Sequence, residues 1–311
     1  MKKILCSLLI AMLMVVSLTG CGSSSSDTDS YSVGVVQLMV HDALDKSTQG
    51  FKDALTAELE AKGKTVEFDI QVAGEPNLCT TVVNTFTSKN VDLIMANATP
   101  SLLAAANATT TIPVLGTSVT DYNDTFKGNI PENVSGTSDA VPFDQQAQMM
   151  IDTLGLVKGD LVGVLYCTNE SNSVIQYEAV KKLFDAEGIT VKAYTFSETT
   201  ELQTVVTSMA NEVKAVFIPS DNTVSANDSI VGTICTDKKV PIYTSYGGAI
   251  GYASLAINYY DLGVETGKMA AQVLLGEKAV SDIEIKTLTP TVVYNSDLCD
   301  KLGFEVPEEY K

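Results

Sequence analysis

From Tyr31 onward, short apolar runs alternate with longer stretches whose apolar residues recur every three to four positions. The run YSVGVVQL (31–38) has the density of a buried strand. Residues 44–63 then place Leu44, Phe51, Leu55 and Leu59 near one face, and Gly63 ends the predicted helix. TVEFDIQV (65–72) alternates with period two, PNLCTTVVNTFTSK (76–89) reads as a helix, and VDLIMA (91–96) as a buried strand. That strand breaks at Asn97-Ala98-Thr99-Pro100 and enters a small-residue helix, with Pro100 expected first in the helix and Thr99 as its cap. IPVLGTS (112–118) is the next strand. Such alternation predicts parallel strands covered by helices on both faces.

The pattern then starts again. DLVGVLYC (160–167) is a strand, 172–188 a helix closed by Gly188, TVKAYTF (190–196) a strand and 200–212 a helix. VKAVFIPSDNTVSAND (213–228) repeats the strand, break and helix of 91–106, and VPIYTS (240–245) echoes IPVLGTS. Residues 34–36, 91–100 and 112–118 therefore correspond in order to 163–165, 214–222 and 240–245. The tail adds a strand in YASLAINY (252–259), a helix in 261–276 and one or two strands in IEIKTLTPTVVYN (283–295). The expected fold is α/β, with two similar doubly wound parallel-sheet lobes joined by a multi-crossing hinge. The first lobe would comprise 31–142 plus about 250–281, the second 143–249 plus about 282–311. A hinged cleft between two lobes suits a small ligand.

The first thirty residues are of another kind. MKK, an apolar run and LTGC make a secretory signal over residues 1–20. Leu18-Thr19-Gly20-Cys21 resembles the bacterial lipobox, in which the cysteine is lipidated, and GSSSSDTDS after it reads as a flexible tether, so that 21–30 links the folded part to the anchor. Lipid on Cys21 would hold the protein at the outer side of a bacterial cell membrane without a spanning helix. Beyond this signal 18 Lys face 38 acidic residues, a net charge of −20, and the chain has no Arg. Phosphate contacts need cations, so nucleic acid is excluded as a partner. Cys79, Cys167, Cys235 and Cys299 are far apart, and with His41 the sole histidine no metal site is expected. We read these cysteines as small buried hydrophobes, with any pairing among them left open.

No catalytic signature holds. G-x-S-x-G and H-E-x-x-H are absent. Gly263-Val-Glu-Thr-Gly267-Lys268 has one residue too few between its glycines for a phosphate loop, and lies in a helical run. Gly247-Gly248-Ala-Ile-Gly251 lacks dinucleotide-loop spacing. His41, following a strand, reads as a loop or ligand-contact residue rather than a general base. No cofactor is expected, and the chain is not read as an enzyme. What remains is a set of polar turns at strand ends: Gln37 with residues 41–45, then 99–101, 118–121, 138–139, 169–173 and 220–222. Each is accounted for singly by helix capping. Their recurrence at the same end of both sheets predicts a cleft for a small zwitterion. Helix N-termini and hydroxyls would take its carboxylate, and Asp221 or Asp139 its ammonium.

Seven blocks run in order from about Val33 to Met269: GVVQLMVHDALD, DLIMANATPSLLAAA, IPVLGTSVTD, NVSGTSDAVP, GVLYCTNESNS, FIPSDNTV and DLGVETGKM, followed by LGFEVPEE. With them the chain resembles bacterial ABC-transporter substrate-binding lipoproteins of the tryptophan/tyrosine-binding group, which have the type I periplasmic-binding fold. The resemblance implies capture of an aromatic amino acid and delivery to a membrane permease driven by a separate ATPase. A sensory or adhesive lipoprotein using the same fold is the alternative. Matching positions put His41, Thr99, Thr120, Asp121, Ser138, Asp139, Glu170, Asn172, Ser173, Asp221 and Asn222 around the cleft, and Ser101 lies in the same turn as Thr99. Tyr246, Tyr122 and Phe143 are candidate ring contacts. Ala43 stands where the family often has Pro, and SYGGAIGYAS (245–254) is shortened and Gly-rich.

Overall fold

The computed structural model describes residues 30–305; the signal segment, Cys21 and all but the last residue of the tether lie outside them. Twelve strands form two six-stranded sheets among these residues. The first half contributes β1 (Ser30–Gln37), β2 (Thr65–Val72), β3 (Leu93–Asn97), β4 (Val114–Val119) and β5 (Val134–Ser138). The second contributes β6 (Leu161–Cys167), β7 (Thr190–Phe196), β8 (Ala215–Ile218), β9 (Ile242–Thr244) and β10 (Ala253–Ala256), and the tail adds β11 (Lys286–Thr287) and β12 (Thr291–Tyr294). The sheets run β11-β5-β4-β3-β1-β2 and β12-β10-β9-β8-β6-β7, the same order position for position. The internal repeat is thus a repeat of topology, with β1, β3 and β4 matching β6, β8 and β9. The two tail strands break the symmetry: β11 lies parallel to β5, whereas β12 runs antiparallel to β10.

Apolar side chains cover both faces of each sheet. In the first lobe Val33, Val35, Phe51, Leu55 and Met269 pack on one face, and Val36, Val83, Phe86 and Leu102 on the other. In the second, Leu165, Leu202, Val216 and Ile242 face one way and Val164, Phe184, Phe217 and Tyr243 the other. Cys79, Cys167, Cys235 and Cys299 are free and sit in this interior, as small apolar groups do.

The chain passes between lobes three times, after β5, after β10 and between β11 and β12. The handovers expected near 250 and 282 therefore fall later. Ala253–Ala256 is still bonded to β9 of the second sheet, and Lys286–Thr287 still pairs with β5 of the first. Among the elements that escape the hydrophobic pattern are β5, whose sequence VSGTS carries one large apolar residue, and the helix Phe143–Leu154 that follows it.

Helices α1 (Asp42–Glu60) and α2 (Tyr259–Leu274) pack side by side over the first sheet. Glycines make this possible. A Cβ on Gly263 would lie 2.0 Å from the Ser47 carbonyl oxygen, and one on Gly50 2.1 Å from that of Tyr260. Gly263 and Gly267 of the GVETGK stretch thus form a helix-packing surface, while Lys268 and Glu265 of the same stretch pair with each other away from it. Gly263→Ala must push two backbones apart, and is expected to lower stability by about 3 kcal/mol, the upper end for an overpacked core. Urea unfolding at an unchanged m-value checks this.

Candidate functional site

The carboxyl ends of the central strands of both sheets meet at the crossings, and a small chamber lies between them. Its first-lobe wall is His41, Ala43, Leu44, Ser118 and Asp139; its second-lobe wall is Ser220, Asp221, Asn222, Ser225 and Tyr246, with Tyr259 from the second crossing. As the lobes stand, only about 10 Å³ is open to the centre of a water molecule, room for one water. Behind Ala43, Tyr246 and Tyr259 the wall is shared with a pocket of about 560 Å³ beside the crossings, reaching Gly247, Gly248 and Ile257.

Of the residues expected in the cleft, His41, Asp139, Asp221, Asn222 and Tyr246 line the chamber. The others support it or face elsewhere. Glu170 is a buried fastener. It accepts the backbone N–H groups of Asn222 (2.9 Å) and Thr223 (2.7 Å), the Asn222 amide (2.6 Å) and the Thr223 hydroxyl (2.7 Å). Asp221 caps the same turn by accepting from Val224 N, and accepts also from Cys167 N and Ser173 Oγ, each at 2.8 Å. Burial and the neighbouring Glu170 charge push Asp221 well above the ordinary carboxylate value. Asn172 ties the turn at Ser220 O, leaving its own Oδ1 unpartnered. The helix start at Asn222 is thus filled by the protein's own carboxylates and is not free to take a ligand's.

Around the first lobe, Asp121 caps the short helix Tyr122–Thr125, and Ser138 donates to the Thr120 carbonyl, joining the ends of the neighbouring strands β4 and β5. Thr120 Oγ1 accepts from Gln176 of the second lobe at 3.4 Å. Gln37 donates to Asp45 and accepts from Thr48, which fixes the β1–α1 connection. Ser101 turns inward to Cys79 at 3.6 Å. Thr99 is not a cap but the first residue of the helix Thr99–Ala108; the cap is Ala98, held at φ 90° and ψ 157°. That region is essentially reserved for glycine, and such strain concentrates at functional turns. Tyr122 and Phe143 pack into the first- and second-lobe cores, so neither supplies a ring to the cleft. Tyr246 does, fixed by a 2.7 Å bond to Asp228. Tyr259 escaped the sequence reading; its signal was Asn258, a helix cap directly before it at the end of an apolar strand.

Two chamber residues carry buried atoms without partners, His41 Nδ1 and Asp139 Oδ1. Asp139 Oδ2 accepts from Tyr259 at 2.8 Å. Burial pushes the Asp139 carboxyl above its ordinary value, and the Tyr259 hydrogen bond opposes this. Burial likewise lowers His41, against the Asn222 bond and the charges of Glu170, Asp45 and Asp42. His41 is the cap residue of α1, yet its side chain makes no capping bond. The first-turn N–H groups of α1, which no helix can satisfy internally, therefore stay uncapped beside the chamber wall at Ala43 and Leu44. No group of His, Cys, Asp and Glu arranged to hold a metal is found among the described residues.

Two parallel sheets in matched order around a polar chamber define a two-lobed binding protein. The chain belongs to the ABC transporter substrate binding protein family, whose sequence model matches residues 32–310. It is 34% identical to a tyrosine-binding protein of Clostridioides difficile, over 98% of this chain and 93% of that one. It overlays on an ABC domain of Streptococcus pneumoniae in complex with L-Trp with a TM-score of 0.83 at 31% identity, covering 90% of this chain and 97% of the other. The ligand-free, open structure of a substrate-binding protein with adhesive properties from Clostridium difficile gives 0.65 at 32% identity, covering 89% and 96%. At nearly equal identity, the lobes of this chain match the ligand-holding relative better than the open one.

Proposed function

We propose that the protein captures a free amino acid, with an aromatic side chain, outside the cytoplasmic membrane and hands it to the permease of an ABC importer powered by a separate ATPase. In this reading lipid on Cys21 anchors it to the membrane. The observation that carries the proposal is the pair of unpartnered buried acceptors in one chamber, His41 Nδ1 and Asp139 Oδ1. Buried acceptors left without donors are unfavourable, and an ammonium group supplies three donors. The uncapped first turn of α1 offers N–H groups to the carboxylate of the same molecule, which needs no guanidinium. The 560 Å³ pocket behind Tyr246 and Tyr259 supplies the volume for a side chain once those rings move aside. The tyrosine-binding and tryptophan-complexed relatives support an aromatic ligand.

The test is a melting-temperature screen of the twenty amino acids, on protein unfolded and refolded to remove carried-over ligand. Aromatic amino acids are expected to stabilise most, by about 2.7 kcal/mol at a hundredfold excess over Kd. No shift with any of them overturns the proposal. The adhesive relative favours a second reading, attachment without transport. It predicts that deleting a partner permease leaves amino-acid uptake unchanged.

A further inference from the structure

We infer that Glu170 and Asn222, in the second lobe, set the tautomer of His41 in the first, so that the chamber receives a bare imidazole nitrogen. The inference deepens the amino-acid reading, since a bare nitrogen is an acceptor for an ammonium, but its test stands apart from that reading.

The chain of contacts leaves one consistent assignment of protons. Glu170 is surrounded by donors, among them two backbone N–H groups that can only donate. The atom of Asn222 lying 2.6 Å from Glu170 Oε2 must therefore be its NH₂ nitrogen, because its carbonyl oxygen would repel the carboxylate. This turns Asn222 Oδ1 toward His41, 3.2 Å from Nε2. A carbonyl oxygen only accepts, so Nε2 carries the proton. Nδ1, buried and without a partner, is then the unprotonated nitrogen of a neutral ring. Putting a second proton there would bury an uncompensated N–H, which is unfavourable. Glu170 is thus a positioning residue: it touches no ligand, and acts through Asn222. Residues 41 and 222 stand on different lobes, so separating the lobes breaks the bond and frees the ring to exchange tautomers. Closure itself therefore makes the acceptor.

His41 is the sole histidine in 311 residues, so in ¹⁵N-labelled protein without a histidine tag one pair of ring nitrogens reports on it. At neutral pH the wild-type protein is expected to show Nε2 protonated and Nδ1 bare, most completely when L-tyrosine holds the lobes together. Asn222→Ala is expected to return the two signals toward the tautomer mixture of a free imidazole. Glu170→Gln should do the same; should that variant fail to fold, Asn222→Ala decides, because it leaves Glu170 its bonds to Thr223. A protonated Nδ1 or a free-imidazole mixture in L-tyrosine-saturated wild type overturns the inference, as does an Asn222→Ala spectrum identical to wild type. If calorimetry shows no L-tyrosine binding, the amino acid that raises the melting temperature most replaces it in the same comparison; if none binds, the amino-acid reading is at fault, and an excess of the Nε2-protonated form in ligand-free wild type over Asn222→Ala still supports the tautomer assignment, while its absence overturns it.

Discussion

Asp139→Asn is expected to remove most amino-acid binding while leaving the fold intact. Asparagine keeps the shape and can still accept the Tyr259 hydroxyl, but it presents no charge to an ammonium. Truncating one partner of a buried charge pair costs about 2–5 kcal/mol, and the low end of that range is already roughly a thirtyfold loss of affinity. Calorimetry on the wild type and the variant measures it directly. Affinity unchanged within twofold would move the ammonium to another carboxylate. Asp221 was the other candidate in the sequence, but its oxygens already accept from Val224, Cys167 and Ser173.

The same carboxyl gives a pH dependence with a definite sign. Burial raises Asp139 above its ordinary value, whereas a bound ammonium favours the charged form. Binding should be strongest above the raised pKa of the free protein and weaken as pH falls through it, by at most about tenfold per pH unit for one proton. The slope should vanish in Asp139→Asn. Stability runs the other way. An acid whose folded value lies above its unfolded value of about 3.9 makes the fold more stable as pH falls between the two. At neutral pH, then, Asp139→Asn should melt at or above the wild-type temperature. A variant that loses binding because it is damaged would melt lower.

Glu170→Ala should show the opposite profile. The change strands two backbone N–H groups, the Asn222 amide and the Thr223 hydroxyl in a buried turn. Each unsatisfied donor costs about 1–3 kcal/mol, and relaxation and entering water recover part, so a net loss of about 3–5 kcal/mol is expected. Urea denaturation measures it. A loss below about 1 kcal/mol would mean that the turn holds itself without the carboxylate.

The contrast between these carboxylates shows what the sequence could and could not convey. The strands dominated by apolar runs, such as Leu93–Asn97 up to its closing asparagine and Ala215–Ile218, are legible because a strand buried on both faces must be almost wholly apolar. VSGTS is not, since its hydroxyls are satisfied only by partners far along the chain, such as Ile283 O for Ser135 and Thr266 for Thr137. The helix Phe143–Leu154 buries Gln146 and Ala147 beside Met150, too polar a face to stand out. The exchange points were misplaced because β10 and β11 resemble ordinary strands, and only pairing tells which sheet receives them. In the cleft, the polar turns were visible but their directions were not. Asp139, Glu170 and Asp221 look alike in a sequence. Distances separate a carboxylate that fastens its own turn from one with an oxygen to spare.

The glycine-packed pair α1 and α2 begins at the chamber on both sides of its seam: His41 caps one helix, and Tyr259 opens the other directly after a crossing. Because backbone meets backbone there, with no flexible side chains between, the two helices behave as a single stiff lever. One end of it lies at the chamber wall, where the proposed ligand would sit, and the same end is rooted in the pivot. On the proposed reading, a molecule that tugs on His41 would turn the joint as well, and how far the jaws shut would become a readout of how well it fits.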